Sequence, residues 1–240
     1  MRLMLMLCLM LLPLVADSQS APPQETPRQV VEKLVSASHG LNAMSGPEIP
    51  VLLERVRQNP APYIPFLLRY LTSETILAAR DLSAVQAAEN AALVLAQAGG
   101  PTGRTELAQR LTSFNTAADQ SQLQITRRQR QLGPARSRTA AAQSEFIRLR
   151  ERTNRLITVK RTIINALAGV NDPVIKEVAL QRLATEDYGT QLIYIRYLAN
   201  VGKQDSRVKQ RLQELLTNKR SPFHDSQMLK SVIESLDRQD

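Results

Sequence analysis

The phrase Leu167-Ala168-Gly169-Val170-Asn171-Asp172 returns 31 residues later as Leu198-Ala199-Asn200-Val201-Gly202-Lys203. Each copy closes an apolar run of helical period and is followed by another such run. An earlier echo, Leu95-Ala96-Gln97-Ala98-Gly99-Gly100, ends the most Ala-rich part of the chain. Asp172 and Asp205, 33 residues apart, are N-cap residue types placed before an apolar face. A helix–turn–helix unit of about thirty residues cannot bury its own apolar face, so its recurrence predicts stacking of units into a solenoid.

Composition agrees. There is no Trp, and only four Phe, five Tyr and nine Gly occur in 240 residues. The chain leans instead on Leu, Ala, Arg and Gln, which rank high in helix propensity, whereas turn-rich β folds need more Gly. The expected class is all-α.

The residues from Leu167 to Val174, followed by Val178-Ala179-Leu180, resemble a HEAT-type repeat of the short, phycobilisome-lyase-like kind. Ala91-Ala92-Leu93-Val94-Leu95-Ala96-Gln97-Ala98-Gly99 looks like the same phrase. The resemblance covers residues 155–217 and, more loosely, 84–111; it leaves 112–150 uncovered. It implies a right-handed helical-repeat solenoid of about five helix pairs, with an irregular basic insertion or long helical hairpin in the middle. It also brings in a lyase-like enzyme as one class of function. The rival tetratricopeptide array lacks its Trp and Gly-Tyr positions here.

The expected organisation runs as follows. Residues 1–20 pair Arg2 with the apolar run Leu3 to Val15 and then small residues at alternate positions, the pattern of a cleaved secretory signal. An uncleaved anchor or buried first helix is the alternative, although the run is shorter than the roughly 20 residues a bilayer span needs. Residues 21–27 form a Pro-rich linker, 28–111 the N-terminal repeats, 112–154 an Arg/Gln-rich insertion, and 155–240 the C-terminal repeats. Ser45-Gly46-Pro47-Glu48 reads as a helix start. Ser73 to Ala98 reads as one helix, or as two joined near Asp81. Gly99-Gly100-Pro101 and Gly133-Pro134 read as breaks. After the second break, from Arg136 to Ala168, the apolar series Ala142, Phe146, Leu149, Leu156, Ile163 and Leu167 keeps one helical face, with Thr153 and Lys160 in its seam.

Signals of catalysis are sparse. Cys8, the only cysteine, lies in the apolar leader, so the exported chain would have neither disulfides nor thiolate chemistry. Its position within the apolar run, after Met6 and Leu7, does not fit a lipoprotein signal. His39 and His224 fall at expected helix ends, and no phosphate loop or Gly-x-Ser-x-Gly occurs. Glu186-Asp187 is expected in an exposed turn beside Gly189. No catalytic residue, metal or cofactor is nominated.

Charge is more informative. Arg127 to Arg161 carries ten Arg and one Lys against Glu145 and Glu151, a net charge of +9 that equals that of the whole chain. Guanidinium groups bind carboxylate and phosphate bidentately. Arg127, Arg128, Arg130, Arg148, Arg152 and Arg155 are therefore the candidate binding residues, against the bland reading of a solvated Arg/Gln face. Tyr194, Arg196 and Tyr197 form a second candidate surface, with rings packed on the next helix as its alternative. Nucleic acid is disfavoured because no aromatic interleaves with Arg127 to Arg138. A membrane surface lacks an apolar face to bury. The expectation is a non-enzymatic, exported scaffold, periplasmic or secreted, that binds an acidic protein partner through a curved helical surface. The alternative is an anionic polymer or lipid headgroup held by Arg127 to Arg161.

Overall fold

The computed structural model describes residues 25–37, 47–132 and 139–237. The leader at 1–20, residues 21–24 of the linker, His39-Gly40, Ser45-Gly46 and Gly133-Pro134 lie outside the described residues. Among the described residues the chain forms eleven α-helices and no strand.

Helix α1 (Pro27–Val35) starts at Thr26. The Thr26 hydroxyl accepts from the Gln29 amide while the Gln29 side chain accepts from the Thr26 amide at 2.9 Å. This reciprocal capping box satisfies two otherwise orphaned amides, and Pro27 sits where its missing N–H is harmless. The end of the expected linker thus belongs to the fold, since Glu25 pairs with Lys33 and Arg55.

Three short helices follow, α2 (Glu48–Gln58), α3 (Ile64–Leu68) and α4 (Ser73–Ala78), then α5 (Ser83–Ala98). The join between α4 and α5 lies at Asp81, whose carboxylate accepts from the Ser83 amide at 2.9 Å. Helices α1, α2 and α3 pack around α5, where Ala88, Ala91, Ala92 and Ala98 are buried. Small side chains let neighbours approach on several sides. Asn90, fully buried on α5, donates to the Val35 and Ala37 carbonyls at 3.0 and 3.1 Å. It thereby satisfies carbonyls that the end of α1 leaves unpaired.

Gly99-Gly100 turns the chain sharply. Gly100 has φ +63°, and a Cβ on Gly99 would lie 2.5 Å from the Leu95 carbonyl oxygen. Helix α6 (Gly100–Leu132) then runs for 33 residues, about 50 Å at 1.5 Å per residue. Helix α7 (Ala140–Ala166) packs against it. The expected boundaries at 112 and 155 therefore fall inside two long helices. The base of this pair is central, because α7 also packs on α4, α5 and α9. Phe114 and Leu156 mark where its residues enter the main core. Beyond them, Ala118, Ile125 and Phe146 are buried outside that core, so the pair continues as a two-helix arm.

The C-terminal part comprises α8 (Pro173–Arg182), α9 (Tyr188–Val201), α10 (Ser206–Thr217) and α11 (Gln227–Leu236). Asp172 caps α8 by accepting from the Val174 and Ile175 amides, and Asp205 caps α10 by accepting from Arg207. Leu167 and Leu198, the first residues of the repeated phrase, are both fully buried. Gly202 ends α9 where a Cβ would lie 2.7 Å from a Val208 methyl. One apolar core runs from Val30 to Leu236.

Candidate functional site: an arginine-lined groove on the helical arm

On α6, Ile125 faces α7, and Gln124, Arg127, Arg128 and Gln131 flank that seam. On α7, Phe146 takes the seam position, and Glu145, Arg148, Leu149 and Arg152 flank it at the same offsets. These two sets line one groove of about 440 Å³. Its geometry follows from helical period, since positions i, i+3, i+4 and i+7 share one side of a helix. Arg128 pairs with Glu145 across the groove, and its Nε is buried without an acceptor. Among the described residues, Arg127, Arg148 and Arg152 have no carboxylate partner and are exposed.

A second cleft, of about 650 Å³, adjoins the first and shares Arg148 and Arg152 with it. Arg80, Glu151 and Arg155 complete its charged lining. Arg155 donates to the Ala79 carbonyl, which fixes its guanidinium against the α4–α5 turn. The structure thus brings five of the six expected hairpin arginines together. Arg130 is exposed but lines neither cleft, and neither does Arg196 on α9. Arg80 escaped notice in the sequence because it stands alone, 68 positions before Arg148. Only the tertiary fold brings it to the basic face.

Tyr194 and Tyr197 correct the second expected surface. Both are fully buried, because α9 packs between α7, α8 and α11 and hides the face that carries them. The Tyr197 hydroxyl donates to the carbonyls of Val170 and Asp172, and burial pushes its pKa up to about 12. The Tyr194 hydroxyl is buried near Glu186, Arg182 and Asn115 but makes no hydrogen bond of proper geometry. Burial, reinforced by the Glu186 charge, raises its pKa well above the ordinary phenol range.

Glu186 is also not in an exposed turn. It accepts from Lys160 Nζ at 2.6 Å and from Arg182 Nε at 2.6 Å. Arg182 in turn grips Asp119 of α6 bidentately, at 2.6 and 2.8 Å. This chain of charges ties α6 and α7 to the α8–α9 turn. Its members neutralise one another, so it reads as a structural clamp. Asp187 caps α9 and pairs with Arg161. Burial opposes its charged form, but hydrogen bonds from Thr190 and the Arg161 charge outweigh burial and lower its pKa.

His224 sits in the α10–α11 turn, with Nδ1 3.0 Å from the Leu216 carbonyl oxygen. Among the described residues, no group of three metal-ligating side chains comes together. No helix among them is long and apolar enough to cross a membrane. Comparison with protein-family models, curated proteins and solved structures returns no match.

Proposed function

We propose that this chain is a non-enzymatic, exported adaptor that binds an acidic protein partner in the arginine-lined groove of its helical arm. One observation carries the reading. Among the described residues, Arg127, Arg148 and Arg152 converge from two helices on one groove and make no ion pair, its one lining carboxylate, Glu145, being paired with Arg128. Such a concentration of like charge opposes the folded state modestly and attracts anions strongly. Carboxylates of a partner would make bidentate, charge-assisted bonds there, fixing register as well as adding affinity.

The remaining helices support a solenoid-like frame for that arm, of the HEAT-like kind. Helices α7, α9 and α11 pack in succession, and α8 contacts both α6 and α10, the latter through Arg207–Glu177, Lys176–Asp205 and Arg211 to the Leu180 carbonyl. This two-layer succession is what stacked helix pairs produce. Export rests on the leader and on the lack of cysteine after Cys8.

Capture of partners from the cell envelope tests the reading. The native chain should retain an acidic protein that the Arg127→Glu/Arg148→Glu/Arg152→Glu variant loses. Retention by that variant sinks the proposal. The alternative occupant, an anionic polymer or lipid headgroup, is separated by salt. A polyanion complex weakens steeply with ionic strength, and a protein complex with apolar contacts weakens less.

A further inference from the structure

We propose that the second cleft, where Arg80 and Arg155 join Arg148 and Arg152, is a distinct site for a small multiply charged phosphate oxyanion. The proposal rests on the reading of this face as anion-binding but not on a protein being the partner. Four guanidinium groups surround about 650 Å³, a volume within the roughly 300–1,000 Å³ range of small-ligand sites. Among the described residues, Glu151 is the only carboxylate in the lining. The nearby Asp81 accepts from the Ser83 amide and hydroxyl, and its charge offsets part of that of Arg155.

The arginines come from two separate parts of the chain, and one is anchored. Arg155 spends one N–H on the Ala79 carbonyl and is half-buried, so its position is set before any ligand arrives. A guanidinium carries five donors, which leaves four for an oxyanion. Arg80, Arg148 and Arg152 make no ion pair among the described residues and stay free to close on the ligand. A single carboxylate offers two oxygens and one charge, too little to engage four guanidiniums. A chain of two or three phosphates presents enough oxygens and charge, and arginine forks match phosphate geometry. The ligand's source is either free polyphosphate or a phosphate-bearing lipid headgroup.

Calorimetric titration of the full chain with inorganic tripolyphosphate tests this. The native protein should bind, and Arg80→Ala should weaken binding about tenfold, the loss of one charge-assisted contact. Arg80 is exposed and its side chain makes no hydrogen bond or ion pair among the described residues, so its removal should leave the fold intact. Arg127→Ala, in the neighbouring groove only, should leave tripolyphosphate binding unchanged while weakening an acidic protein partner. The converse holds for Arg80→Ala, so the two proposals fail separately. Flotation with phosphatidylcholine vesicles, with and without a polyprenyl diphosphate lipid, assigns the source. Binding to the anionic vesicles that Arg80→Ala weakens supports the site with a headgroup ligand. No binding of either probe, or binding indifferent to Arg80→Ala, overturns the proposal.

Discussion

Lys160 Nζ lies 2.6 Å from Glu186 Oε2, and the two side chains are only 1% and 6% exposed. A lysine on an apolar helical seam is thus balanced by a carboxylate from the turn before α9, while Arg182 holds the other Glu186 oxygen. Removing one member of a buried pair strands the other charge, at a cost of about 3–5 kcal/mol. Because Arg182 still serves Glu186, Lys160→Met should fall near the lower end, about 3 kcal/mol. Lys160→Met with Glu186→Leu should cost clearly less than the two single changes added together. Urea unfolding of the four proteins measures this coupling. Strict additivity would mean that the pair is not a clamp.

Asn90 performs a comparable task between α1 and α5. Asn90→Ala leaves the Val35 and Ala37 carbonyls buried without a donor, which should cost about 2 kcal/mol. The loss should be local. Hydrogen exchange followed by mass spectrometry should show α1 amides exposed first, with α7 and α9 protected as before.

Acid should loosen the molecule through its paired aspartates. Hydrogen bonds from Arg182 hold the Asp119 carboxyl below its usual range, and Lys176 does the same for Asp205. Their folded pKa values lie below their unfolded ones. The stability they contribute is therefore present above about pH 4 and lost as pH falls through the folded values. Melting temperature should stay level down to about pH 5 and drop below about pH 4. Asp119→Asn should make that drop shallower, though only slightly, because Asp119 is half-exposed and its ion pair is screened.

The buried tyrosines predict the opposite limb. Tyr197 has its pKa pushed up to about 12, and that of Tyr194 is also raised by burial. Both are raised above an unfolded value of about 10, so their stabilisation is present below pH 10 and lost as pH rises through the folded values. Ultraviolet titration should show part of the tyrosinate signal appearing only above about pH 11. Tyr197→Phe should remove some of that late signal and cost about 1 kcal/mol for the two lost carbonyl contacts.

Local signals in the sequence were readable where a residue's role depends on near neighbours. Asp172 and Asp205 cap α8 and α10 as their position before an apolar face implies, and Gly99-Gly100 turns the chain. Thr153 and Lys160 lie in the buried seam that their spacing placed them in. Arg148, Arg152 and Arg155, candidates from charge alone, stand four and three residues apart and line one cleft from α7. What escaped depends on partners distant in the chain. Tyr194 and Tyr197 resembled a surface pair because their helix shows apolar residues on several sides, and only the packing of α7, α8 and α11 decides which side is inside. Glu186 resembled a turn residue because its partner Lys160 is 26 positions away. Arg80 carried no local signal at all.

Binding of a Glu-rich peptide to the helical arm tests the central claim most directly. Calorimetry should follow the native chain and an Arg127→Glu/Arg148→Glu/Arg152→Glu variant of equal helicity, at low and at physiological salt. The native chain should bind the peptide, weakening as salt rises, and ignore its Gln analogue. Charge reversal should lower affinity by well over tenfold, since three charge-assisted contacts are lost. An undiminished affinity in the reversed variant, or equal binding of the Gln analogue, would contradict the account.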